Sequence, residues 1–110
     1  MQPAETILIV DDDDVLRQRL EKSLTRRGWT IFAAEGFETA IALAETHQPT
    51  RAVLDLKMPG QSGLDVLQKI REISPNTKCV ILTGYGSITN AVEAVKLGAV
   101  GYITKPADAD

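Results

Sequence analysis

Five side chains of this 110-residue chain could act on one ligand: Asp11, Asp12, Asp55, Thr83 and Lys105. Each lies at the polar end of an apolar run. Ile7-Leu8-Ile9-Val10 runs into Asp11 and Asp12, Ala52-Val53-Leu54 into Asp55, and Cys79-Val80-Ile81-Leu82 into Thr83. Ala99-Val100-Gly101-Tyr102-Ile103 runs into Thr104-Lys105-Pro106. Two unit charges about 4 Å apart repel by about 4 kcal/mol at an effective dielectric near 20. Three gathered carboxylates must therefore take up protons or bind a cation. An all-oxygen donor set suits Mg²⁺ better than zinc, which prefers nitrogen and sulfur. A magnesium site that keeps open water positions commonly receives phosphate oxygens. An ammonium at Lys105 and a hydroxyl at Thr83 would complete a phosphoryl cradle. Singly, Thr83 reads as an ordinary strand residue and Lys105 as a surface lysine; the combination carries the inference. Asp13 and Asp14 read instead as cap and dipole partners of a following helix.

The elements that must position these residues follow from hydrophobic pattern. The four runs are short, continuous and rich in β-branched residues, as in strands buried on both faces of a parallel sheet. A weaker run, Trp29 to Ala34, predicts a fifth strand nearer an edge. Helical spacing lies between them. Leu16, Leu20 and Leu24 mark a helix over 14–27 with Gly28 as its stop, and Phe37, Ile41 and Ala44 one over 36–46 ended by Pro49. Leu64, Leu67 and Ile70 mark a third, opened by a Ser62-x-x-Asp65 capping box and closed before Pro75. Ile88, Ala91, Val92 and Val95 mark a fourth, with Gly98 just past its end. The alternation predicts an α/β fold in which right-handed crossovers place helices on both faces of one five-stranded parallel sheet. Ligands of such sheets bind beyond the carboxyl ends of the strands, where the polar residues above fall.

Composition narrows the class. At this length the chain forms one small domain, and its 44% apolar and 25% charged residues are ordinary for a globular one. Asp11 to Asp14 hold four of the 15 acidic residues, against 12 basic ones, so the net charge of −3 is concentrated in one knot. A basic nucleic-acid footprint is absent. The single cysteine, Cys79, excludes an internal disulfide and a multi-cysteine metal site. With no membrane-length apolar run and no signal pattern at the N-terminus, a cytoplasmic location is expected.

Val10-Asp11-Asp12, Asp55-x-x-Met58-Pro59-Gly60, Leu82-Thr83-Gly84 and Lys105-Pro106 together resemble the response-regulator receiver (CheY-like) domains of two-component signalling. The segment from Thr83-Gly84-Tyr85-Gly86 through Ala91-Val92 to Lys105-Pro106-Ala107-Asp108-Ala109-Asp110 is also similar to the redox-responsive RegA, PrrA and ActR group. The resemblance implies a flavodoxin-like, doubly wound sheet of order 2-1-3-4-5. It implies that Asp55 accepts a phosphoryl group from a sensor histidine kinase. It implies Mg²⁺, with Mn²⁺ as a substitute, on Asp12, Asp55 and the Lys57 backbone carbonyl, with Asp11 binding directly or through water. Lys105 would pair with the carboxylate and then with the phosphoryl oxygens, across a Lys105-Pro106 bond expected to be cis. Thr83 and Tyr102 would form the switch, moving together to change the surface of the fourth helix and last strand. Lys57 and Tyr85 lie two positions beyond Asp55 and Thr83, where their side chains would screen the phosphoryl group from water.

The implied partners are the kinase, a second copy of the chain on phosphorylation, and DNA through an attached output domain outside this sequence; no membrane partner is implied. Residues 1–110 read as a receiver whose fifth helix is truncated, which would put dimerisation through that face in doubt and leave part of one sheet face uncovered. The alternative function is a Mg²⁺-dependent phosphatase or phosphotransferase with an aspartyl nucleophile. Such sites place a second aspartate two residues on as general acid, and here that position is Lys57. A third reading, a degenerate receiver used for docking, would lack an acceptor, acidic pair, hydroxyl or lysine, and none is lost. His47 reads as a solvated surface residue and Cys79 as a small core residue. Gly84-Tyr85-Gly86 resembles a nucleotide loop but lacks the third glycine, because position 89 is threonine.

Overall fold

A computed structural model describes residues 5–56, 63–83 and 88–104. The strands are β1 (Thr6–Val10), β2 (Thr30–Ala34), β3 (Arg51–Asp55), β4 (Lys78–Thr83) and β5 (Gly101–Thr104). They alternate with α1 (Asp14–Arg26), α2 (Phe37–His47), α3 (Gly63–Ile73) and α4 (Ile88–Lys96). All neighbouring strands are parallel, in the order β2-β1-β3-β4-β5. The order reverses between β1 and β3, which brings the carboxyl ends of those two strands side by side at the switch point.

Register explains the two core layers. Leu8, Ala52 and Cys79 are paired across β1, β3 and β4, as are Val10, Leu54 and Ile81 one step on. They meet Ala40 and Ala44 of α2, Val66, Leu67 and Ile70 of α3, and Ala94 of α4. On the opposite face Ile7 and Ile9 pack with Leu16, Leu20 and Leu24 of α1, the leucines whose four-residue spacing predicted that helix. Of the three leucines Leu20 is the buried one. Farther along this second face Val53 and Val80 are half-buried, and Ile103, paired with Leu82, remains 49% exposed.

Two boundaries differ from the sequence expectation for one reason. Trp29 and Ala99 look like the first residues of strands, yet each closes the helix before it. The Gly28 and Trp29 N–H groups donate to the Thr25 and Leu24 carbonyls, and the Gly98 and Ala99 N–H groups to the Val95 and Ala94 carbonyls. Gly28 and Gly98 supply the positive φ (94° and 116°) that this double closure needs. The amides at 29 and 99 are thereby committed to the helices, and β2 and β5 begin later. The α2 terminus departs differently: Gln48, not a glycine, takes the left-handed position at φ 46°. Its Nε2 donates to the Ile73 carbonyl at 3.0 Å, tying the end of α2 to the end of α3. His47 is exposed as expected and also stacks on Phe32, ring centroids 4.1 Å apart. The Ser62 half of the capping box lies outside the described residues.

Candidate functional site

The acidic residues are placed by backbone bonds that continue past the strands. Beyond β1, the Asp11 N–H still donates to the Ala34 carbonyl of β2 at 3.1 Å, so Asp11 is held as firmly as a strand residue. Its side chain is fully buried, and Oδ1 accepts the Asp13 N–H at 2.9 Å. That turn leaves Asp12 exposed at the carboxyl edge of the sheet. Asp13 then caps α1, its Oδ1 accepting the Leu16 N–H at 3.1 Å. The cap assigned to Asp13 from its place before the helix is thus observed, and Asp14 forms the acidic first turn.

Asp55 ends β3 beside Leu82 of β4 and is 3% exposed. The backbone after it is fixed from two sides. Leu56 N–H donates to the Leu82 carbonyl, and the Gly63 N–H, at the start of α3, returns to the Leu56 carbonyl, both at 3.0 Å. A side chain at Gly63 would collide with the Asp55 carbonyl oxygen and lie 2.9 Å from Leu56 Cα. Only glycine lets α3 start this close to the strand that carries Asp55.

These constraints bring together Asp11, Asp12 and Asp55, whose carboxylate oxygens all lie within 4.8 Å of one another. Opposite ligands of an octahedral Mg²⁺ stand about 4 Å apart. The three carboxylates are therefore close enough together to share one such ion. Its donors are all oxygen, and two of its three acids are withdrawn from solvent, where their mutual repulsion is least screened. Thr83 is the last residue of β4, in register with Thr104 of β5, which brings its backbone to the same edge; its side chain lies outside the described set. Tyr102 lies on β5 opposite Ile81 and is 41% exposed. Lys57, Tyr85, Lys105 and Pro106 also lie outside the described residues.

Two residues of this site escaped the sequence reading. Gly63 carried no signal, because its constraint is a tertiary contact. Arg17 carried one: Asp14-x-x-Arg17 is ion-pair spacing on a helix. Arg17 does pair with Asp14 through Nη2, while its Nη1 donates to the Asp11 carbonyl at 2.7 Å. Cys79 is buried on β4, and that burial pushes its thiol up to about 11 from an ordinary 9.0, against a smaller opposing influence from Arg71.

Comparison with known proteins gives the family and the fold. The family model described as "Response regulator receiver domain" matches residues 7–110. The acid tolerance regulatory protein ActR of Rhizobium meliloti is 47% identical over 108 residues, covering 98% of this chain and 56% of the relative. The photosynthetic apparatus regulatory protein RegA of Cereibacter sphaeroides is 43% identical over 105 residues, covering 96% and 57%. The chain thus spans just over half the length of these relatives. Among solved structures, a response regulator from Burkholderia pseudomallei, with a phosphorylated aspartic acid, calcium ion and citrate, superposes with TM-score 0.89 at 34% identity, covering 96% of this chain and 62% of that one. A CheY-like receiver domain protein from Methanospirillum hungatei superposes with TM-score 0.91 at 31% identity, covering 97% and 86%.

Proposed function

Because the chain belongs to the response-regulator receiver domain family, we propose that its phosphoacceptor is Asp55, fed by the phosphohistidine of a sensor histidine kinase or by a small phosphodonor. The observation that carries this reading is the gathering of Asp11, Asp12 and Asp55 within 4.8 Å at the switch point of the sheet. The Burkholderia structure, with its phosphorylated aspartic acid and calcium ion, supports it by analogy.

In the transfer, an Asp55 carboxylate oxygen forms a bond to phosphorus as the P–N bond to the kinase imidazole breaks, its electron pair leaving on the ring nitrogen. Asp12, Asp55 and the Lys57 carbonyl would hold Mg²⁺ or Mn²⁺, with Asp11 direct or through water. An ion held there would supply positive charge beside the phosphoryl oxygens. The Lys105 ammonium neutralises a further oxygen, and the Thr83 hydroxyl donates to another. As Thr83 moves toward the phosphoryl group, Tyr102 turns inward from its exposed position on β5. The change favours one of two packings of α4 and β5. Val92 and Val95 on α4 and Tyr102 on β5 are exposed residues with apolar surface suited to carry that message to a partner. The partner is an attached output domain, DNA-binding in our reading, and a second phosphorylated copy. Lys57 and Tyr85 screen the acyl phosphate from water. With Lys57 where an aspartyl phosphatase has its general acid, the chain is a stoichiometric acceptor rather than a turnover enzyme.

The test is acetyl phosphate with Mg²⁺, read by intact mass. One phosphate per chain is expected in the wild type, and none in Asp55→Asn or with the cation chelated. Repeated turnover of a phosphate ester, or undiminished labelling of Asp55→Asn, would refute the assignment.

A further inference from the structure

Arg17 lies one turn into α1, yet its guanidinium grips two groups at the strand–helix junction. Nη1 donates to the Asp11 carbonyl at 2.7 Å and Nη2 to the Asp14 carboxylate, with the Arg17 side chain only 15% exposed. The Asp11 carbonyl and the Asp12 N–H belong to one rigid peptide plane. Holding that oxygen therefore fixes the plane's rotation, and with it the direction in which the Asp12 side chain leaves the backbone. The other two acids have different anchors. Asp55 is built into β3 and buried, and Asp11 is buried with its Oδ1 on the Asp13 amide. Asp12 is the exposed acid of the three, so it depends most on its backbone for orientation.

We propose that Arg17 is a positioning residue for the divalent cation, a clamp on the Asp11–Asp12 peptide that aims the Asp12 carboxylate into the acidic cluster. The proposal rests on the cation reading of that cluster. Its two grips suit arginine, whose planar fork presents donors in fixed relation; a lysine ammonium is a point charge on a flexible stem. Charge alone predicts the opposite behaviour. A cation beside three carboxylates disfavours a second cation, so a purely electrostatic Arg17 would weaken Mg²⁺ binding by its presence.

The sign of the effect decides. Mg²⁺ affinity is measured by titration calorimetry on the wild type, Arg17→Ala, Arg17→Lys and Asp14→Asn, with melting curves to confirm that each is folded at the working temperature. The clamp predicts about tenfold weaker binding in Arg17→Ala, the usual scale for losing an outer support of a metal ligand. It predicts no full recovery in Arg17→Lys, and a smaller loss in Asp14→Asn, which keeps the grip on the carbonyl. Unchanged or tighter binding in Arg17→Ala would overturn it, as would wild-type affinity in Arg17→Lys, which also decides the matter should Arg17→Ala not fold. If the wild type binds no Mg²⁺, or Asp12→Ala binds it equally well, the cation reading itself fails. Normal wild-type binding that depends on Asp12 but is indifferent to Arg17 sinks the clamp alone.

Discussion

Replacing Gly63 with alanine would set a methyl carbon against the backbone that carries Asp55. The new atom would overlap the Asp55 carbonyl oxygen and lie 2.8 Å from its carbonyl carbon and 2.9 Å from Leu56 Cα. Carbon atoms pack at about 3.5 Å or more, so α3 must retreat by at least about 0.7 Å. None of the three atoms can turn aside, because all belong to the backbone. Retreat stretches the 3.0 Å Gly63-to-Leu56 hydrogen bond and tilts a helix that buries Val66, Leu67 and Ile70 in the main core. Overpacking of this kind costs about 1–3 kcal/mol. Alanine's better helix propensity returns at most about 1 kcal/mol. With the full propensity gain the expected net loss is up to about 2 kcal/mol, read as a lower urea midpoint with an unchanged slope. The same displacement reaches Asp55, so labelling by acetyl phosphate is expected to slow at least about tenfold, since misplacements near 1 Å can cost far more. A Gly63→Ala chain as stable as the wild type, labelled at the wild-type rate, would refute the claim that this close approach sets the acceptor's position.

Other expectations concern single side chains. Asp13→Ala removes the cap on the Leu16 N–H and should cost about 1 kcal/mol in urea unfolding. It should leave phosphorylation nearly unchanged, because the amide that holds Asp11 Oδ1 is retained. The Cys79 thiol titrates at about 11 when folded against 9.0 ordinarily, so between those values the unfolded chain binds fewer protons and stability falls as pH rises past 9.0. At pH 10.5 the loss is about 2 kcal/mol relative to pH 8, and the Cys79 share of the pH dependence should vanish in Cys79→Ala. Tyr85→Ala should shorten the life of the acyl phosphate, measured as loss of label after donor removal; equal decay rates would reject the screening role.

The architecture was legible because a doubly buried strand advertises itself. Ile7 to Val10 and Cys79 to Leu82 are continuous apolar runs, and the acids that follow the first had no structural reason to be there, whereas Thr83 gained its meaning only from the combination. The convergence of Asp11, Asp12 and Asp55 followed from that pattern, since parallel strands bring all their carboxyl ends to one edge. Less was readable where a residue serves its neighbour's terminus instead of its own run. Trp29 and Ala99 have strand-like side chains, but the glycines before them turn their amides back onto helices. Gln48 takes a left-handed conformation that its type does not suggest, sustained by a bond to Ile73 that is 25 residues distant. The Arg17 pairing with Asp14 could be read from spacing; its hold on the Asp11 carbonyl could not, because backbone acceptors leave no mark on the sequence. Gly63 was invisible for a similar reason, its constraint being set by the backbone of another strand.

The central claim concerns one atom pair, phosphorus and an Asp55 carboxylate oxygen, and reduction can report on it directly. Borohydride converts an aspartyl phosphate to homoserine, so labelling with acetyl phosphate and Mg²⁺, reduction, and peptide mass mapping name the modified residue. Homoserine is expected at position 55 and nowhere else in the chain. Reduction mapped to position 11 or 12, or a phosphate that survives as a borohydride-resistant ester on serine or threonine, would contradict it.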